Sequence, residues 1–185
     1  MRKIISSMNI TPDGFCDHTA MIVDDELHHY ANEFLKTADT VFFGRITYQL
    51  FESYWPQAAK TRTAPAPMVE FADLIDDVKK IVFSKTLKEV NWKNSMLVNE
   101  IKKEAILKLK QEPGKHIIIW GSPGLVAELT SLGLIDEYHF LIHPMIPGNG
   151  KRFFENIKLD TRLQLKFINT ATFRSGVIIA KYQAK

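Results

Sequence analysis

Five consecutive residues, His116-Ile117-Ile118-Ile119-Trp120, constrain this chain more than any others. The run is apolar and β-branched at its centre, so neither face of it suits water. A strand of that kind is covered on both sides and belongs inside a parallel sheet flanked by helices. Gly121-Ser122-Pro123-Gly124 breaks it at once, and Leu125, Val126, Leu129 and Leu132 carry a short helix that Gly133 closes. Strand, glycine turn and helix in that order are the unit from which α/β domains are built.

The same passage recurs upstream. Lys3 to Met8 reads as a buried strand, punctuated by a Thr11-Pro12-Asp13-Gly14 turn. Asp24, Asp25 and Glu26 mark an acidic helix start, and Leu27, Tyr30, Ala31, Phe34, Leu35 and Ala38 then fall on one helical face. Thr40 to Phe43 is a short strand ending at Gly44, after which Arg45 and Thr47 turn the chain polar. Ser53 to Pro67 lacks a sustained period and is expected to be a surface excursion, and Phe71, Leu74, Ile75 and Val78 mark a second amphipathic helix. Ile81-Val82-Phe83 is a strand followed by Ser84-Lys85-Thr86, and a helix is expected from Asn99 to Gln111, stopped by Pro113-Gly114.

Past Gly133 the character changes. Tyr138, Phe140 and Ile142 alternate with His139, Leu141 and His143, and a Pro147-to-Gly150 loop follows. Leu163 to Phe173 and Val177 to Tyr182 then read as two strands joined around Arg174-Ser175-Gly176. Strands separated by helices, then strands without them, predict one mixed sheet, parallel at its centre and antiparallel at the C-terminal edge, in a single domain over residues 1–185.

Composition narrows the function. With 45% hydrophobic and 24% charged residues the chain is globular, and without an apolar run of about 18 residues or a signal-type N-terminus it is expected to be soluble and cytoplasmic. A net charge of +3, with Lys102 to Lys110 interrupted by apolar residues, points away from nucleic acid. Cys16 is the only cysteine, which excludes an intrachain disulfide and a cysteine zinc cage. Six histidines do not predict a metal. His28 and His29 diverge by about 100° on a helix, and His139 and His143 lie roughly 13 Å apart on a strand.

Three strand ends share one design: Gly44-Arg45-Ile46-Thr47, Ser84-Lys85-Thr86 and Gly121-Ser122-Pro123-Gly124. The carboxyl ends of parallel strands open on a common crevice, so these turns are expected to converge. Any one of them is ordinary turn chemistry, but a phosphorylated ligand accounts for all three. Unpartnered N–H groups at helix starts seat anions, glycine lets the phosphate approach, and Arg45, Lys85, Thr47 and Ser84 supply charge or hydroxyls. Neither the G-x-G-x-x-G fingerprint nor a G-x-S-x-G elbow is present, which leaves a dinucleotide site of another kind and disfavours a serine hydrolase.

Several segments, in order along the chain, carry a resemblance. They are Pro12-Asp13-Gly14-Phe15, Val41 to Tyr48, Ile81 to Leu87, Trp120 to Leu125, Gly133 to Tyr138, His143-Pro144 and Gly148-Asn149-Gly150-Lys151. The sequence resembles the dihydrofolate-reductase-like superfamily, and within it the stand-alone bacterial proteins similar to the C-terminal reductase domain of riboflavin-biosynthesis enzymes. The resemblance implies a three-layer α/β/α fold and an NADPH site. Gly44, Arg45 and Thr47 match the turn that meets the cofactor phosphates, and Ser84 and Lys85 the turn near the 2′-phosphate. Gly121, Ser122, Gly124 and Leu125 belong to the pyrophosphate turn. The nicotinamide is expected near Asp13-Gly14-Phe15, with Asp13 as candidate acid.

The substrate positions depart from the family. Trp120 stands where the riboflavin-pathway reductases carry a glutamate, and the helix position of the folate-type acid falls near His28, with Asp24 and Asp25 a turn earlier. Phe15, His28 and Trp120 are the candidate substrate contacts. The reading is an NADPH-dependent reductase acting on a small heterocyclic or carbonyl substrate, phosphoribosylaminouracil-like or pterin-like, in a homodimer. The alternative is a nucleotide-binding protein of the same fold without reductase activity.

Overall fold

Ile117, Ile118 and Ile119 are fully buried at the middle of the molecule. They belong to β5 (His116–Trp120), which is paired in parallel on one side with β1 (Ile4–Ile10) and on the other with β2 (Ala38–Gly44). The computed structural model describes residues 1–16, 18–19, 21–155 and 157–185. Beyond β2 lie β3 (Lys79–Phe83) and β4 (Ser95–Val98), both parallel. Beyond β1 lie β6 (Glu137–Ile142), still parallel, then β8 (Ile178–Ala184) and β7 (Leu165–Thr172), joined by antiparallel ladders. The sheet order is β4-β3-β2-β5-β1-β6-β8-β7, mixed as the sequence predicts.

Alternation along the central strands sorts the core into two layers. Ile4, Met8, Phe42, Ile117 and Ile119 point to one face, covered by α5 (Lys103–Gln111) and α6 (Pro123–Ser131) through Ile106, Leu125, Val126 and Leu129. Ile5, Val41, Phe43 and Ile118 point to the other, covered by α1 (Asp25–Lys36) and α4 (Ala66–Asp77) through Phe34, Leu35, Phe71 and Ile75. The result is the three-layer α/β/α arrangement.

Asp24 caps α1 by accepting a 2.7 Å bond from the Leu27 N–H, and the acidic first turn suits the positive end of the helix dipole. The helix stops at Lys36, so Ala38 starts β2 instead of ending the helical face. α2 (Arg45–Glu52) starts directly from Gly44, and the Ser53-to-Pro67 stretch expected to be a surface excursion contains α3 (Trp55–Thr61), with Pro56 in its first turn, where proline costs no hydrogen bond, and the start of α4. The fifth helix begins at Lys103 rather than Asn99: Ser95–Val98 is taken into the sheet as β4, and Lys102, at the helix N-cap, is in extended backbone.

Candidate functional site

Register brings two of the three turns side by side. Phe42 is level with Ile119 across the β2–β5 ladder, so Gly44 and Gly121 leave the sheet together, each into a helix. The turns are fastened to one another. The Gly44 N–H donates to Ser122 Oγ at 2.9 Å, the Ser122 N–H donates to Thr47 Oγ1 at 3.1 Å, and Ser122 Oγ donates to the Trp120 carbonyl at 3.2 Å. Gly121 and Ser122 both adopt left-handed backbone, φ +57° and +58°, so the chain reverses into α6 within two residues.

Neither helix start has a side-chain cap. In α6 the first N–H with an intrahelical partner is that of Val126, to Ser122, and Pro123 has none to offer. The Gly124 and Leu125 amides are therefore the ones left to a ligand. A Cβ added at Gly124 would meet nothing within 4 Å, so the approach to those amides is open. Arg45, exposed at the start of α2, adds a cation to the positive ends of two helix dipoles.

Gly44, Arg45, Thr47, Gly121, Ser122, Gly124 and Leu125 all line one cleft of about 770 Å³, together with His28 and Trp120. Ser84 and Lys85 follow β3, one strand further out, and do not line it. Phe83 is level with Gly44, which puts Lys85 beside the Arg45 turn, but Ser84 Oγ is engaged as acceptor for the Thr86 and Leu87 amides at 3.2 and 3.0 Å.

Asp13 and Phe15 are outside the lining as well. Asp13 accepts from Thr11 Oγ1 at 2.5 Å and from the Gly148 N–H at 3.3 Å, so its carboxylate serves two loops. Phe15 is buried beneath Arg152, whose guanidinium sits 4.9 Å from the ring centroid. The Gly14–Cys16 and Lys151–Phe153 backbones are bonded to each other, and Cys16 and Lys151 are the members of that pair of loops that reach the cleft.

Spacing alone did not reveal the aromatic wall. Phe51, Tyr54 and Trp55 come from α2 and the start of α3, Phe71 from α4 and Trp120 from β5. Trp55 packs 4.6 Å from Phe71, and Phe71 5.3 Å from Trp120, measured between ring centroids. The signal was the Tyr48, Phe51, Trp55 spacing of three and four residues, obscured by the surrounding polar residues and Pro56.

His28 lines the cleft, and His143 and His139 stand behind it, paired with the lining residues Asn9 and Tyr30. Burial lowers the pKa of His28, against the pull of Asp25 and Asp24, and it lowers that of fully buried His143. His143 Nδ1 accepts from the Ile22 N–H at 3.0 Å, so its proton is on Nε2 and is donated to Asn9 Oδ1 at 2.9 Å. His139 is pushed down to about 4, by burial first and by the charge of Lys181 second; its Nδ1 is 3.1 Å from the Tyr30 hydroxyl.

Known proteins are similar to this chain in sequence and in fold. The family described as the RibD C-terminal domain matches residues 2–179. The chain belongs to that family. A Bacillus subtilis relative, the uncharacterized protein YyaP, is 34% identical over 98% of this chain and 94% of its own length. A putative riboflavin biosynthesis protein of Shewanella sp. PV-4 superposes with a TM-score of 0.71 at 18% identity, covering 99% of each chain. Dihydrofolate reductase from Enterococcus faecalis, in complex with NADP(H) and an inhibitor named RAB-propyl, superposes at 0.63 with 14% identity, over 99% of this chain and 96% of that one. At such identities the solved structures establish the fold: a RibD C-terminal domain of dihydrofolate-reductase type.

Proposed function

We propose that this chain binds NADPH across the α2 and α6 starts and reduces a small planar substrate in the adjoining cleft. The observation that carries the proposal is the pair of uncapped helix starts, locked together by Thr47, Ser122 and Gly44 and open where Gly124 lacks a side chain. That arrangement fits a dinucleotide diphosphate, whose charge needs N–H donors and room for close approach. Arg45 neutralises the same group, and Lys85, on the next strand end, is the cation suited to a 2′-phosphate.

The bound cofactor supplies hydride chemistry. The chain's own residues supply position and exclude water. Trp120 and Phe71 close the floor of the cleft, His28 stands at its α1 side as a neutral hydrogen-bonding group, and Asn9 is oriented by His143. Among the described residues no Asp or Glu lines the cleft. Trp120, standing where the riboflavin-pathway reductases carry a glutamate, favours the second reading, a nucleotide-binding protein of the same fold without reductase activity.

Thermal melts of the purified protein with NADPH and with NADH test the cofactor half: a rise in midpoint is expected, larger for NADPH. No rise with either at millimolar concentration rejects it. Binding without oxidation across pterins, pyrimidine ribosides and quinones selects the second reading.

The same reading includes a homodimer in the cytoplasm. No described helix is long and apolar enough to cross a membrane. The interior alternation of Tyr138 and Leu141 is used up inside the sheet, so the edge that offers itself is β7, where Phe167 and Ile168 are exposed. Light scattering giving a monomer mass excludes the dimer.

A further inference from the structure

Resting on the dinucleotide reading, we infer that His143 is a positioning residue for the β1 end of the cleft. In its neutral form it holds two stretches of the lining, residues 21–23 and Asn9, against the nicotinamide half of the ligand.

Strand order says which half lies there. Lys85 follows β3, and the diphosphate seat spans the ends of β2 and β5. A dinucleotide with its 2′-phosphate at Lys85 therefore crosses the sheet in the order β3, β2, β5 and reaches β1 with its other half. Ser7 of β1 is level with Trp120, and Asn9, two residues on, points to the same face. Ser7, Asn9, Met21, Val23 and Trp120 all line the cleft.

Residues 21–24 belong to no helix or strand, and Val23 is exposed, so this stretch of wall needs an anchor. His143 provides one from inside the sheet. It is fully buried, and its own N–H donates to the Ile10 carbonyl at 2.8 Å, continuing the β1–β6 ladder and fixing the base of the ring. The Ile22 N–H donates to Nδ1 on one side, and Nε2–H is given to Asn9 Oδ1 on the other.

A backbone amide can only donate, so this geometry requires a bare Nδ1 and a neutral ring. Protonation sets two N–H groups face to face at 3.0 Å. One of them has to withdraw. The ring is mounted on the sheet, so the stretch around Ile22 is what gives way, and Asn9 keeps its bond. Asp24, at the α1 cap, is the charged group that bears on His143 and favours its protonation, but burial prevails and holds its pKa below the usual 6.5. The β1 neighbours Asn9 and Ile10 do not titrate, and the turn before β8 brings Gly176 against the adjoining Pro144. His28, in the same lining, titrates in the same direction and has to be separated from it.

Calorimetric titration with NADPH and with 2′-phospho-ADP-ribose, which keeps the phosphates and lacks the nicotinamide, tests the assignment. His143→Leu is expected to weaken NADPH by about tenfold and to leave the fragment within about twofold, which also shows the variant to be folded. His143→Gln retains an acceptor and a donor without a titrating group and should recover most of the loss. In the wild type the ratio of the two affinities, from which the shared phosphates cancel, is expected to be complete above about pH 6.5 and to fall as the pH descends through the pKa of His143. In His143→Gln the fall should be smaller, leaving the part that belongs to His28. Equal weakening of both ligands in His143→Leu, unchanged NADPH affinity, or the same pH dependence in His143→Gln and the wild type overturns the positioning role. Nitrogen-15 spectra of the wild type that show the Nδ1–H tautomer at neutral pH overturn it without a ligand. Binding of neither ligand removes the dinucleotide reading and this inference with it.

Discussion

Gly121 and Gly124 are three residues apart and restrict substitution for opposite reasons. At Gly121 the backbone is left-handed, and an added Cβ would lie 3.4 Å from Thr47 Cγ2. Gly121→Ala is expected to cost about 1–2 kcal/mol in urea unfolding, the penalty of an L-residue in that region. At Gly124 the backbone is helical and an added Cβ meets nothing within 4 Å. Gly124→Leu should therefore leave stability unchanged or raise it by about 0.5–1 kcal/mol, since glycine is a poor helix residue. It should also abolish the NADPH-induced melting shift, because the side chain covers the Gly124 and Leu125 amides. A Gly124→Leu protein that keeps its full shift would show that the dinucleotide phosphates lie elsewhere.

At the scale of elements, what the sequence revealed depended on how local the signal was. Strand β5 carries its own instruction in three consecutive isoleucines, and α1 in an acidic cap followed by an unbroken apolar stripe. The glycine turns were legible as turns, and their convergence followed from parallel topology. Helices α2 and α3 were not legible, because Arg45, Gln49 and Lys60 mask a stripe whose partners, Phe71 and Trp120, are distant in sequence. Lys80 is equally opaque: a lysine inside a strand pattern reads as exposed, yet it is fully buried, donating to the Ile75, Asp76 and Val78 carbonyls at the end of α4.

Asp136, in a segment shared with the family, also proves to connect elements. It accepts from Lys110 Nζ of α5 at 2.7 Å and from the Ile4 N–H of β1 at 2.7 Å. Lys110 is buried, so Asp136→Ala leaves an ammonium without its partner, and a loss of about 3–5 kcal/mol in chemical unfolding is expected. Changing both residues together, Asp136→Leu with Lys110→Met, should recover most of that loss. Equal losses in the single and double variants would mean that the pair is not the source.

For the whole molecule, the buried histidines set the response to acid. His139 lies under α1, where Phe34 packs 4.9 Å away and Tyr30 is its hydrogen-bond partner; Glu137 on its own strand comes within 3.5 Å, and Lys181 of β8 is opposite it in register. Burial and Lys181 outweigh Glu137, so the folded pKa falls from the ordinary 6.5 to about 4. His28 and His143 shift in the same direction. As the pH descends below about 6.5, the unfolded chain takes up protons that the folded chain refuses, which draws the equilibrium toward unfolding. The stability that these neutral histidines allow is thus complete above that value and is lost progressively toward pH 4, with His139 alone accounting for ~3 kcal/mol. His139→Gln removes the titrating group while retaining a polar side chain. Its stability at neutral pH is expected to drop modestly through the weaker Tyr30 contact, but the further loss between neutral pH and about pH 5 should be smaller than in the wild type, because one fewer proton distinguishes the two states. Denaturant midpoints at the two pH values separate these effects, and parallel losses in the two proteins would assign the acid sensitivity to other groups.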